Sequence, residues 1–100
     1  MRKAERKIVK GNIFRALGFG REESLDLKLR SDMLMIIHKI ISRKKYGARQ
    51  LQEVLGENQP RVSELLNGKL DKLSLGRLVR YVAKLGRSIE IREKSTKVAA

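Results

Sequence analysis

Apolar residues recur three and four positions apart along most of this chain, which is the periodicity of helices that bury one face. The longest stripe begins at about Glu22 and predicts a helix that passes through a basic run and stops by Gly47. This helix is expected to be deeply buried or partly used in an interface, because its apolar face is unusually wide. The stripe consists of Leu25, Leu29, Met33, Ile36, Ile37 and Ile40, widened by Leu27, Met35 and Ile41.

Two shorter helices are predicted on either side of Gly56, where a glycine suits a tight turn. The first runs from about Ala48 to Leu55 and the second from about Gln59 to Leu66, with Asn58 as the N-cap of the second. The apolar positions predict that the two helices lock together through Leu51, Leu55, Val62 and Leu65, and Val54 is also expected to face inward.

A further helix is predicted between Ser74, which can cap its start, and Gly86, which can end it after Leu85. Gly76 in its first turn weakens that start, because glycine is poorly suited to helices. The expected buried stripe of this helix is Leu75, Leu78, Val79, Val82 and Leu85.

The two ends of the chain differ from this helical pattern. Residues 1–11 are basic and predict a flexible arm, and residues 94–100 are expected to be frayed, which leaves residues 12–93 as the folded domain. A short helical turn is predicted between Asn12 and Gly18, with its apolar residues packed onto the helical body: Ile13, Phe14, Leu17 and Phe19.

The alternation of apolar and polar residues over 88–92 predicts a short β-strand. A single strand cannot satisfy its own backbone groups. We therefore expect it to pair with a second copy of the chain, with Ile89 and Ile91 in the dimer interface.

Composition narrows the classes of function. Cysteine is absent, so neither disulfides nor thiolate metal sites can form. The one histidine, His38, is predicted to be a structural or surface residue, and no paired carboxylates or phosphate-binding loop suggest catalysis. The chain is therefore predicted to be a cytoplasmic protein that is not an enzyme, with no metal, cofactor or membrane segment. A formal net charge of +13 on 100 residues favours a polyanionic partner, nucleic acid first.

The two short helices around Gly56 have the layout of a helix-turn-helix, in which the second helix enters the major groove of DNA. Glutamine and arginine can each make bidentate contacts with bases, whereas basic side chains nearby can contact phosphates. The candidate base-reading residues are Asn58, Gln59, Arg61 and Glu64. The candidate phosphate contacts are Arg43, Lys44, Arg49 and Lys69.

Residues 59–69, QPRVSELLNGK, resemble the recognition helix of the XRE family of lambda-repressor and Cro-like proteins. Residues 11–19, GNIFRALGF, are similar to an element that precedes the fold in HigA-like antitoxins. The resemblance implies an all-α bundle of about five helices that binds double-stranded DNA as a homodimer, associated with the nucleoid. It also implies repression of the protein's own operon and neutralisation of a RelE-type ribonuclease toxin.

The chain departs from the family pattern at Gly47 and Ala48, where the family has a Thr-Gln clamp. Gln52 replaces a small residue, and Glu57 replaces an apolar residue in the turn. Two alternatives therefore stay open. One is a protein-interaction module that sequesters a toxin and binds nucleic acid only weakly, and the other is a non-specific nucleic-acid binder.

Overall fold

A computed structural model describes residues 12–95 of the chain. Within that range there are five α-helices, in the order α1 (Ile13–Ala16), α2 (Arg21–Lys44), α3 (Ala48–Leu55), α4 (Gln59–Leu66) and α5 (Leu75–Lys84), with a 3₁₀ helix (Leu70–Lys72) between α4 and α5. The all-helical bundle predicted from the sequence is confirmed. The predicted arm, and all of the predicted frayed tail except residues 94 and 95, lie outside the described residues.

The long helix α2 is the spine of the bundle. It packs against α1, the 3₁₀ helix and α5, while α3 packs against α4 and α5. A single apolar core joins these elements, and it is formed by Met33, Leu34, Ile37, Ile40, Ile41, Leu51, Leu55, Val62, Leu65, Leu73, Leu78, Tyr81, Val82 and Leu85.

The wide apolar face predicted for α2 is divided between core and surface. Met33, Ile37 and Ile40 are buried, but Leu25, Leu29 and Ile36 are exposed. The predicted stripe of α5 is also partly wrong, since Val79 is 51% exposed. The reason is geometric: the bundle covers only one side of each helix, and periodicity alone does not say how wide that side is.

The predicted helix ends agree closely with the structure, and α2 stops before Gly47 as expected. Asn12, Asn58 and Ser74 each accept a hydrogen bond from a backbone N–H group as N-caps. Helix α2 ends at Lys44, and its C-cap Lys45 adopts the left-handed conformation at φ 56°. Gly47 is the N-cap of α3, and its N–H group donates to the Gln50 side chain at 3.1 Å.

The predicted β-strand over residues 88–92 is wrong, because this segment has no regular secondary structure. No second strand exists among residues 12–95 to accept or donate ladder hydrogen bonds, and an unpaired strand is not stable alone. The segment instead runs alongside α2 and α5.

The expectation that α1 packs its apolar residues onto the bundle is only partly met. Ile13, Leu17 and Phe19 are exposed, and Phe14 is half-buried against Phe19 in an edge-to-face pair at 6.2 Å. Polar contacts hold this element instead. Asn12 Nδ2 donates to the Ser24 carbonyl at 2.7 Å, and the buried Ser24 hydroxyl donates to the Phe19 carbonyl at 3.2 Å.

Candidate nucleic-acid interface

Helices α3 and α4 form a two-helix unit joined by a three-residue turn. Gly56 begins the turn at φ 66°, a conformation that glycine adopts without steric cost, and the next N–H group closes it by donating to the Gln52 carbonyl at 3.0 Å. Lys84 Nζ, from α5, donates to the Leu55 carbonyl at 3.1 Å. The helices are therefore locked by their predicted apolar contacts, with Val54 only half-buried, and by a cation at the turn.

The first turn of α4 carries exposed polar groups. Asn58 Oδ1 caps α4 by accepting a hydrogen bond from the Arg61 N–H group at 3.1 Å. The side-chain NH₂ group of Asn58 can still donate hydrogen bonds to a ligand. Gln59 and Arg61 are exposed beside it. The structure thus brings together three of the four predicted base-reading residues at one end of α4.

Glu64, the fourth predicted base-reading residue, makes a different contact. Its Oε1 atom lies 2.8 Å from Arg77 Nη1, and its side chain is 28% exposed. The carboxylate is therefore engaged by α5. Ser63 and Asn67 are exposed polar residues of the same helix, and they are linked to each other because Asn67 Nδ2 donates to Ser63 Oγ at 3.1 Å.

Arg77 is the centre of a polar cluster that was not predicted from the sequence. Its guanidinium is almost fully buried and donates four hydrogen bonds. Nε donates to the Tyr81 hydroxyl, Nη1 to Glu64 at 2.8 Å and to the Lys72 carbonyl at 2.7 Å, and Nη2 to the Arg61 carbonyl at 3.1 Å. One residue of α5 thereby holds the backbone and a side chain of α4.

The cluster continues from Tyr81 to the turn. The Tyr81 hydroxyl donates to Glu57 Oε2 at 2.7 Å, and Glu57 Oε1 forms an ion pair with Arg61 Nε at 3.2 Å. The hydrogen bond from Tyr81, helped by the nearby arginines, lowers the pKa of Glu57. Burial, and then the hydrogen bond to Glu57, raise the pKa of Tyr81. The cluster therefore pairs an ionised carboxylate with a neutral phenol at neutral pH.

A signal for this cluster was present in the sequence but ambiguous. Arg77 lies between Leu75 and Leu78 of the predicted stripe but is not a member of it, and a basic residue there can equally extend to solvent. Glu57 was the stronger sign, because an acid in a short turn between two packed helices needs a polar partner.

The predicted phosphate contacts all lie on the surface. Arg43 and Lys44 occupy the last turn of α2, and Arg49 lies in the first turn of α3. Lys69 follows α4, and its N–H group donates to the Glu64 carbonyl at 3.1 Å. These cations are available to a polyanion that approaches the two-helix unit.

His38 has a structural role, one of the two roles predicted for it from the sequence. Its Nε2 atom donates to the Leu65 carbonyl at 2.8 Å, which attaches the end of α4 to α2. Among residues 12–95, no group of three or more metal-binding side chains is present. No helix in the same part of the chain is long and apolar enough to cross a membrane.

An apolar groove of about 540 Å³ lies between α2, α5 and the extended segment that follows α5. Its walls include Leu29, Ile36, Val79, Ile89 and Ile91, of which Ile91 is 91% exposed. The two residues predicted to form a dimer interface therefore lie beside exposed apolar residues of α2 and α5.

Comparison with known families finds a match to a helix-turn-helix domain over residues 13–94. No curated protein matches the chain. The matched region includes all five α-helices, the polar start of α4 and the Arg77 cluster. This chain therefore belongs to the helix-turn-helix domain family.

Proposed function

We propose that this chain is a transcriptional regulator that binds double-stranded DNA in a sequence-specific manner, and that it acts by binding rather than by catalysis. The observation that carries the proposal is the braced first turn of α4, where Asn58, Gln59 and Arg61 are exposed. A helix-turn-helix places this part of its second helix against base edges in the major groove. The net charge of +13 supports binding to a polyanion, and nucleoid association in the cytoplasm follows from this role.

Base reading is assigned to Asn58, Gln59 and Arg61, since glutamine and asparagine suit adenine and arginine suits guanine. Glu64 is left out of the set, because Arg77 engages its carboxylate and an acid near phosphates is unfavourable. Phosphate contacts are assigned to Arg43, Lys44, Arg49 and Lys69, which are all exposed.

Fluorescence anisotropy tests the proposal, with a duplex from the region upstream of the gene and a scrambled duplex of the same composition, across a salt series. We expect a preference for the native duplex that persists as salt rises. Arg61→Ala should reduce that preference. Lys44→Ala should instead weaken binding to both duplexes equally, and it should reduce the slope of log affinity against log salt concentration by about one. If both duplexes bind equally, and binding to both falls together as the salt concentration rises, the chain is only a non-specific polyanion binder.

We further propose that the chain binds DNA as a homodimer. The apolar groove and the exposed Ile89 and Ile91 support this, because surfaces of this kind are typical of protein interfaces. A dimer would place two copies of α4 in successive major grooves, about 34–36 Å apart on a pseudo-palindromic site.

A second proposed function is that of an antitoxin that represses its own operon and neutralises a RelE-type ribonuclease toxin. The support is the front of the chain, where Leu17, Phe19 and Leu25 are exposed around an element that Asn12 ties to α2. Co-expression of the tagged chain with a small ribonuclease encoded beside it tests this. Recovery of a stoichiometric complex, lost in Leu17→Asp but retained in Met35→Asp, is the expected result. Failure of the two proteins to copurify would remove the antitoxin role and leave the DNA-binding proposal unaffected.

A further inference from the structure

The turn between α3 and α4 carries an acid whose carboxylate bridges a buried and an exposed residue. Glu57 Oε2 accepts from the Tyr81 hydroxyl at 2.7 Å, and Oε1 lies 3.2 Å from Arg61 Nε. The Glu57 side chain is 20% exposed, whereas that of Arg61 is 45% exposed. Glu57 therefore connects the interior of the bundle to a side chain that faces the solvent.

The buried end of this connection is fixed. Tyr81 is 2% exposed, and its hydroxyl also accepts from Arg77 Nε. Arg77 in turn donates through Nη2 to the Arg61 backbone carbonyl at 3.1 Å. The cluster thus contacts Arg61 at two points, its carbonyl group and its Nε atom, through atoms of α5 and of the turn before α4.

This arrangement suits a guanidinium that reads a base. Arginine has five N–H donors in one plane, and contact with guanine O6 and N7 uses two of them. The ion pair between Glu57 and Nε restricts the orientation of the guanidinium, and the terminal nitrogens still carry four N–H donors. Since the free side chain of arginine loses rotamer entropy when it is immobilised, an arginine that is already held loses less on binding.

We propose that Glu57 is a positioning residue that orients the Arg61 guanidinium for recognition of a guanine, an inference that rests on the proposed sequence-specific binding of DNA. Glu57 itself touches no base. The acid that departs from the family pattern in this turn thereby contributes to specificity rather than weakening it.

The first step of the test selects duplexes from a randomised pool with the wild-type protein at elevated salt. The base pair read by Arg61 is then identified as the one whose preference disappears in Arg61→Ala, a loss of roughly 5-fold to 150-fold. Affinities for the selected duplex and for duplexes changed at that base pair are measured for each variant below, and their ratio is the discrimination.

Glu57→Gln should lower the discrimination at that base pair by about fivefold, since an amide cannot replace the ion pair with Nε. Glu53→Gln is the matched control, because it removes the same charge from an exposed position in α3. Both variants should bind all duplexes somewhat more tightly, but only Glu57→Gln should change the ratio. In an Arg61→Lys background, which keeps the charge and an exposed position, adding Glu57→Gln should have no further effect on discrimination.

NMR relaxation of the Arg61 Nε–H group gives a readout that needs no DNA. Its order parameter should fall in Glu57→Gln and remain at the wild-type value in Glu53→Gln. This measurement also shows whether Glu57→Gln is folded.

The outcomes separate the two proposals. If the wild type selects no sequence, the proposed function fails and the role of Glu57 fails with it. If the wild type selects a sequence and Glu57→Gln keeps its full discrimination, the role of Glu57 alone is overturned. A sharper preference in Glu57→Gln would also overturn it, because Glu57 would then compete with the base for Arg61.

Discussion

At the residue scale, Arg77 shows how a very basic chain can bury one of its cations. The side chain is 5% exposed, and transfer of a charge from water to such a site is costly unless the charge is paired and hydrogen-bonded. Glu64 supplies the pairing charge, while Tyr81 and two backbone carbonyls accept the remaining hydrogen bonds. The guanidinium carbon also lies 5.3 Å from the centre of the Tyr81 ring. A single side chain thus ties α5 to α4 through an ion pair and a hydrogen bond.

We expect Arg77→Met to lower the free energy of unfolding by about 3–5 kcal/mol, since removal of one member leaves the other buried polar groups without partners. Urea denaturation measures this change. Arg80→Met is the control, because Arg80 is an exposed arginine of the same helix, and its effect should stay within about 0.5 kcal/mol. Equal effects of the two substitutions would mean that the cluster does not stabilise the fold.

The Tyr81–Glu57 hydrogen bond also predicts a pH dependence. The pKa of Glu57 is lower in the folded protein, so its contribution to stability is fully present above the ordinary pKa of 4.5 and disappears as the pH falls through the lowered value. At pH 7, Glu57→Gln should therefore be less stable than the wild type, and the difference should shrink as the pH falls below 4.5. Urea denaturation at several pH values measures it, with Glu53→Gln expected to follow the wild type throughout.

At the element scale, the joint between α3 and α4 decides where the polar end of α4 lies. Gly56 allows the chain to reverse within three residues, and Lys84 donates to the last carbonyl of α3 from the neighbouring helix. His38 holds the other end of α4 through the Leu65 carbonyl. The ends of α3 and of α4 are thus attached to elements outside the two-helix unit.

We expect Gly56→Ala to lower the free energy of unfolding by roughly 1–2 kcal/mol, because the φ of 66° at this position is unfavourable for a residue with a Cβ atom. The added Cβ itself would meet only the flexible end of Lys84, at 3.3 Å. Gly47→Ala, at the other end of α3, is the control, since its φ is −89° and no atom lies within 4 Å of the added Cβ. Thermal unfolding of both variants measures the difference. A loss of stability in Gly47→Ala as large as that in Gly56→Ala would show that the left-handed φ of Gly56 is not the cause.

At the scale of the whole molecule, the proposed contacts with DNA and with a second copy of the chain lie on different surfaces. The cations assigned to phosphates lie at the end of α2 and around α3 and α4, whereas the apolar groove lies between α2, α5 and the segment after α5. The groove also has both acidic and basic walls, with Asp32 and Glu90 near Arg87 and Arg92. This balance of charge lowers the repulsion that a net charge of +13 imposes on two copies of the chain.

We expect Val79→Lys to raise the dissociation constant of the proposed homodimer by about tenfold or more, because the groove would then bury an unpaired charge. Sedimentation velocity across a concentration series measures it. Met35→Lys adds the same charge at an exposed position of α2 that does not line the groove, and it should leave the constant unchanged. A wild type that remains monomeric at every concentration would rule out this interface.

Over residues 12–95, the sequence by itself determined the five α-helices, most of their ends and the two-helix unit around Gly56. These features depend on local chemistry, such as the period of apolar residues, the capping oxygens of Asn58 and Ser74, and glycine in turns. It also singled out the exposed polar start of α4, because that part of the helix lies opposite the residues that lock it.

Only the tertiary structure decided which parts of the wide apolar stripes are covered and where the buried polar groups find partners. Ile36 and Val79 fit a buried helical face as well as Ile37 and Leu78 do, and only the position of neighbouring helices distinguishes them. The partners of Arg77 are 16, 13 and 5 residues away as well as one turn along α5, so no local pattern reveals them. Hydrogen bonds between distant residues form only when packing brings their elements together, which is why the cluster behind Arg61 became visible only in the folded chain.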